Sequence, residues 1–149
     1  FIIDVFSRAI VGWKVSTRMN TDMVLAALEQ ALHDRGMPNN VIHHSDRGVQ
    51  YLSIRYTNRL EAANLRASVG TTGDSYDNAL AETVNGLYKT EVIEYLKADW
   101  RGLGDIQLAT LNLVDWFNKE RIHSSLGYVS PFDFEAMYYD KINPLGQVA

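Results

Sequence analysis

Phe1-Ile2-Ile3-Asp4-Val5-Phe6-Ser7-Arg8-Ala9-Ile10-Val11-Gly12-Trp13-Lys14-Val15 is the stretch that sets the architecture of this chain. β-Branched and aromatic residues crowd positions 2–6 and 10–15, a composition that predicts two strands rather than a short helix. Ser7 and Arg8 between them predict a tight hairpin. The period then changes. Thr21 reads as the N-cap of a helix reaching about residue 35, with Val24, Leu25, Leu28, Ala31 and Leu32 on one stripe. Gly36 ends it and Pro38 prevents its resumption. Short strands are expected over 41–45 and 65–69, with a helix over 54–65 between them. Two longer helices follow, over 77–96 with Leu80, Val84, Leu87 and Tyr88 inward, and over 106–119 with Leu108, Leu111, Leu113, Trp116 and Phe117. Strands early and helices late predict an α/β layer fold with a mixed sheet.

At 149 residues and 46% apolar content the chain has the size of one domain with a proper core. A charged fraction of 21% excludes a disordered chain. There is no cysteine, which removes disulfides and thiolate metal sites and fits a reducing cytoplasm. No apolar run has the length of a membrane span, and no signal peptide is visible. The first residue is not Met, so a part of a larger protein is expected. The charge balance is awkward: 14 Lys+Arg against 18 Asp+Glu give −4, which taken alone argues against a nucleic-acid partner.

Three carboxylates stand out. Asp4 sits in an apolar strand, where an ionised group needs a partner or a metal; bonding to a neighbouring backbone amide is the simpler alternative. Asp46 follows a strand within His43-His44-Ser45-Asp46-Arg47-Gly48, and an Asx-turn would also explain it. Glu82 shares a polar helical stripe with Asn78, Asn85 and Lys89, which a solvated face would equally produce. Brought together, such acids repel by roughly 4 kcal/mol per pair at about 4 Å and an effective dielectric near 20. Only a cation would make that tolerable. Oxygen ligands without Cys point to Mg²⁺ or Mn²⁺ rather than Zn²⁺. Two such ions can clamp the attacking and leaving oxygens of an in-line phosphoryl transfer.

Four blocks carry a resemblance. They are Asp4-Val5-Phe6-Ser7-Arg8 with Ile10-Val11-Gly12-Trp13; His44-Ser45-Asp46-Arg47-Gly48-Val49-Gln50-Tyr51; Tyr76-Asp77-Asn78-Ala79 with Ala81-Glu82; and Asn118 with Arg121, His123-Ser124-Ser125-Leu126-Gly127-Tyr128 and Ser130-Pro131. In this order, with 35 residues between Asp46 and Glu82 and Lys89 seven after Glu82, the chain resembles the catalytic core of bacterial insertion-sequence transposases of the DDE type, a group similar to retroviral integrases.

The resemblance implies an RNase H-like α/β fold: a mixed five-stranded sheet with helices on both faces and its first strand truncated. It implies one catalytic core over 1–149, with 105–149 as its C-terminal helical segment. Asp4, Asp46 and Glu82 would be the catalytic, metal-binding triad for two Mg²⁺ or Mn²⁺ ions, and two divalent ions would offset the net charge. The activity implied is metal-dependent cleavage and transfer of DNA strands. Lys89 and Asn85 would contact DNA; Lys89 lies two helical turns, about 10 Å, from Glu82 on the same face. Arg121 and His123 would either hold phosphate or cap the third helix. The implied partners are transposon terminal repeats, target DNA and further copies of the chain, as a dimer or higher oligomer. An upstream helix-turn-helix region and a bacterial, nucleoid-associated location go with them. A hydrolytic nuclease and a non-catalytic DNA-binding module are the rival readings. Three departures from the family pattern affect DNA contact: no basic residue in 70–73, Phe117 where Tyr is common, and Gly86 loosening the helix by about 1 kcal/mol relative to Ala.

Overall fold

The computed structural model describes residues 1–45, 53–69, 75–94 and 100–143. Strand β1 (Ile2–Ile3) pairs antiparallel with β2 (Ile10–Gly12). Helix α1 (Thr21–Asp34) follows, then β3 (Ile42–Ser45), α2 (Ile54–Ala62) and β4 (Arg66–Val69). β3 and β4 run parallel in register Ile42↔Arg66 to Ser45↔Val69, so α2 is a crossover of the kind parallel strands require. Helix α3 (Ser75–Tyr88) continues into π-helical turns over Lys89–Glu94. Helix α4 (Leu103–Lys119), a short 3-10 turn (Ser124–Leu126) and helix α5 (Pro131–Ile142) complete the chain's described elements.

The first hairpin shows how side chains set these bounds. The strand expected over 2–6 stops after Ile3, because the Asp4 carboxylate accepts from the Phe6 N–H at 2.8 Å and pulls the backbone into a turn. That turn closes through Arg8 N–H to the Asp4 carbonyl at 2.8 Å, with Arg8 itself at φ 67°. β2 ends at Gly12 rather than residue 15, since the Trp13 N–H turns to the Gln30 side chain on α1. A Cβ at Gly12 would lie 2.3 Å from the Ala27 carbonyl oxygen, so only glycine lets β2 approach α1 this closely. The cap of α1 is Asn20 and not Thr21: its side chain accepts from the Met23 N–H at 3.0 Å.

Alternation along β1 divides the core in two. Ile2 packs with Val24, Leu28 and Leu32 of α1 and with Tyr56 and Leu60 of α2. Ile3 packs on the other face with Ile10, Val84 of α3, and Val114 and Phe117 of α4. The result is a layer of strands between two layers of helices, as expected. The single five-stranded sheet is not what the described residues form: they contain two separate two-stranded sheets, β1–β2 and β3–β4. Helix α5 was legible only as part of a helical C-terminal segment. Its own start signal is local: Ser130 accepts from the Asp133 N–H, and Pro131 occupies the first helical position. No helix among the described residues is long and apolar enough to cross a membrane.

Candidate nucleic-acid active site

The three acids of the expected triad have different fates. Glu82 lies exposed on α3, and Val84, two residues on, anchors that helix against Ile3 and Ile10. Asn85 and Lys89 are exposed on the same element and its continuation. The helix expected to run to residue 96 leaves α-geometry at Lys89, where the Thr90 hydroxyl donates to the carbonyls of Gly86 and Leu87 and competes with the backbone ladder. Asp46 lies outside the described residues; β3 ends at Ser45, immediately before it.

Asp4 is placed as a turn residue. Its Oδ1 accepts from the N–H groups of Phe6 at 2.8 Å and Ser7 at 3.4 Å, and its Oδ2 faces Arg35 Nη2 at 3.4 Å. Arg35, at the C-terminal end of α1, is itself held by both oxygens of Glu135 on α5. Among the described residues no three His, Asp or Glu side chains are grouped so as to hold a metal ion.

Behind β3, the His43 Nε2 and the Tyr56 hydroxyl share a hydrogen bond of 2.7 Å. Burial first, and the charge of His44 second, lower the His43 pKa to about 4 from 6.5. An imidazole lowered in the folded state stays neutral there while the unfolded chain takes up its proton. Stability from this group is therefore complete above about pH 6.5 and is lost as pH falls toward 4. Thermal melts between pH 7 and 4 should show this acid limb, and His43→Gln should flatten it; an equal slope in the variant contradicts the assignment.

Arg121 and His123 lie against α4. The Arg121 guanidinium sits 5.5 Å from the Trp116 ring and 5.7 Å from that of Phe117, a cation–π arrangement. His123 meets Phe117 edge-on at 5.0 Å, and its Nε2 is buried without a hydrogen-bond partner among the described residues. Burial, then Arg121, then Arg8 lower its pKa. His123 also bridges Val129 through the backbone, which closes the loop after α4. These contacts tie the end of α4 down.

The residue that sequence reasoning left without a role is Asn118. It is 4% exposed on α4, and its amide makes two 2.8 Å hydrogen bonds to Ile10, accepting from the N–H and donating to the carbonyl. It completes the edge of β2 as a strand would. Its place in the fourth sequence block was the available signal, but nothing local marked it as a strand partner.

Residues 1–75 match one description of the integrase core domain and residues 63–131 match a second. A transposase for insertion sequence element IS629 from Shigella sonnei is 53% identical over 142 residues, 95% of this chain and 47% of that protein. A putative transposase for insertion sequence element IS986/IS6110 from Mycobacterium tuberculosis is 51% identical over 144 residues, 93% of this chain and 51% of the other. The chain thus spans about half the length of these relatives. Among solved structures, the trimeric form of the HTLV-2 integrase catalytic core domain in complex with magnesium superposes with a TM-score of 0.67 at 19% identity, over 89% of this chain and 80% of that one. The dimeric form of the same domain gives 0.62 at 20% identity, over 89% and 79%. These likenesses establish an RNase H-like fold, and with it the chain belongs to the integrase core domain family, in the form similar to the cores of bacterial insertion-sequence transposases.

Proposed function

We propose that this chain is the catalytic core of an insertion-sequence transposase, cutting DNA at the element's ends and joining the freed ends to new sites. The observation that carries the reading is its close likeness, across nearly the whole chain, to two insertion-sequence transposases. The position of Glu82 is compatible with it: the acid is open to solvent on a helix fixed to the central hairpin.

Asp46 and Glu82 are the acids proposed to hold divalent metal. Their donor set fits Mg²⁺ or Mn²⁺, being all oxygen in a chain without cysteine. Asp4, the third acid of the expectation, is engaged by turn amides and an anchored guanidinium, so it is left out of this ligand set. Divalent metal held by these acids, two ions in the expected complex, would supply stabilisation of the charge that builds on the reacting phosphate. Lys89, two turns along from Glu82, is proposed to hold the neighbouring phosphate, and Asn85 to donate its amide to the DNA backbone. Arg121 and His123 are proposed at the margin, where the guanidinium can reach phosphate from its aromatic seat. In the first step a water oxygen attacks phosphorus and the bond to the 3′ oxygen breaks. In the second that 3′ hydroxyl attacks a target phosphodiester and displaces its 3′ oxygen. Bringing two ends together calls for at least two copies of the chain. α5 leaves Met137, Tyr139 and Ile142 at least half exposed, a surface suited to association.

Labelled duplexes carrying the element's ends, incubated with the protein and Mg²⁺, are expected to yield cut and joined strands, and neither after chelation. Cut strands without joined ones would identify a hydrolytic nuclease. Binding without cutting would identify a DNA-binding module.

A further inference from the structure

Four polar side chains close a ring between three elements that are distant in sequence. Asp4 belongs to the hairpin turn, Arg35 to the end of α1, Glu135 to α5, and Ser7 again to the turn. The Arg35–Glu135 pair spans 100 residues and is two-pronged, with Nη1 to Oε2 at 2.9 Å and Nη2 to Oε1 at 2.5 Å. Ser7 has no exposed surface and its side chain hydrogen-bonds to Glu135. The side chains of Arg35, Asp4 and Glu135 are 25%, 31% and 14% exposed, so water screens this ring less than a surface pair. Burial alone would raise the Glu135 pKa; the hydrogen bonds from Arg35 and Ser7, with the Arg35 charge, bring it below the usual value. Beside the ring, Phe6 of the same turn packs on Phe134 at 5.2 Å and on Tyr138 at 4.8 Å, both on α5.

We infer that Asp4 is the acid end of a latch that seats α5 on the β1–β2 hairpin, with Arg35 and Glu135 as its positioning residues, and that its carboxylate is not offered to metal. The second half rests on the metal-dependent reading above. One oxygen of Asp4 is committed to the turn that ends β1, and the other faces a guanidinium that Glu135 holds in place. A divalent cation at that oxygen would lie beside a fixed like charge, and swinging the carboxylate away would break the turn. Removing one member strands the others partly buried, so losses within the ring are not independent.

The test compares Asp4→Asn, Arg35→Met and their double variant, with Glu82→Gln as metal control, in the protein that carries this core. Thermal melts read the latch, amide exchange over residues 131–142 reads the release of α5, and calorimetry with Mn²⁺ reads metal affinity. Each single latch variant should lower the melting midpoint by roughly 3–8 °C, and the double variant should fall little further. Exchange across α5 should quicken by about tenfold or more. Mn²⁺ affinity should stay within about twofold for Asp4→Asn and drop at least about tenfold for Glu82→Gln. A tenfold loss of Mn²⁺ affinity in Asp4→Asn with an unchanged midpoint overturns the inference, as do additive midpoint losses. An unchanged affinity in Glu82→Gln sinks the metal reading instead, while the melting cycle still decides the latch.

Discussion

Asn118→Ala is expected to lower the melting midpoint by about 10 °C, the largest stability effect of any single substitution outside the hydrophobic clusters. The Asn118 amide is buried and answers both backbone groups of Ile10, each at 2.8 Å. Ile10 is 3% exposed and packs with Val84, Val114 and Phe117, so water cannot replace the lost partner without opening that cluster. Two orphaned buried backbone groups cost about 3–4 kcal/mol. At this chain length each kcal/mol moves the midpoint by about 2–4 °C. Asn118→Asp should be no milder: it keeps an acceptor for the Ile10 N–H but sets a carboxylate oxygen against the Ile10 carbonyl. Circular dichroism melts at neutral pH measure both. A shift under about 2 °C would mean that the strand edge is satisfied some other way.

The parts of the fold legible in the sequence were those written in local periodicity. Helix α1 carries its stripe of Val24, Leu28 and Leu32 into the core, and Gly36, at φ 67°, ends it where expected. α2 and α4 stand close to their expected bounds, but of the α4 stripe only Leu113 and Phe117 are buried, while Leu108, Leu111 and Trp116 are exposed. What escaped depends on side chains acting at short range or over long separation. Asp4 shortens β1 by capturing amides two and three residues on, which no count of β-branched residues can register. Asn20 rather than Thr21 caps α1 because either residue type suits the role, and only backbone geometry decides which takes it. The Arg35–Glu135 pair joins positions 100 apart, so no window along the chain contains both. The candidate site was legible by type rather than by role. The blocks identified the family, and Glu82 and Asn85 are exposed on α3, with Lys89 exposed at the start of its π-helical continuation. Asp4 shows the limit. A carboxylate in an apolar strand signals that a partner exists, but not whether that partner is a metal or an arginine.

The second large effect concerns chemistry rather than stability. Glu82→Gln keeps the volume of the side chain and removes only its charge. Because Glu82 is exposed, the fold should be affected by less than about 0.5 kcal/mol. In the proposed reading that charge would help to hold the divalent metal, and loss of one contact that stabilises transition-state charge typically costs about 10²–10³-fold in rate. Cleavage and joining should fall together, since both displacements use the same acids. The Asp4→Asn variant, weakened in its latch but not in metal affinity, should keep measurable joining below its melting range.

The most direct measurement is therefore strand joining by Glu82→Gln beside the parent protein, on labelled duplexes carrying the element's ends with Mg²⁺. Joined product is expected from the parent and none detectable from the variant, with overlapping circular dichroism spectra. Equal yields of joined strands from the two proteins would contradict the proposed role of Glu82.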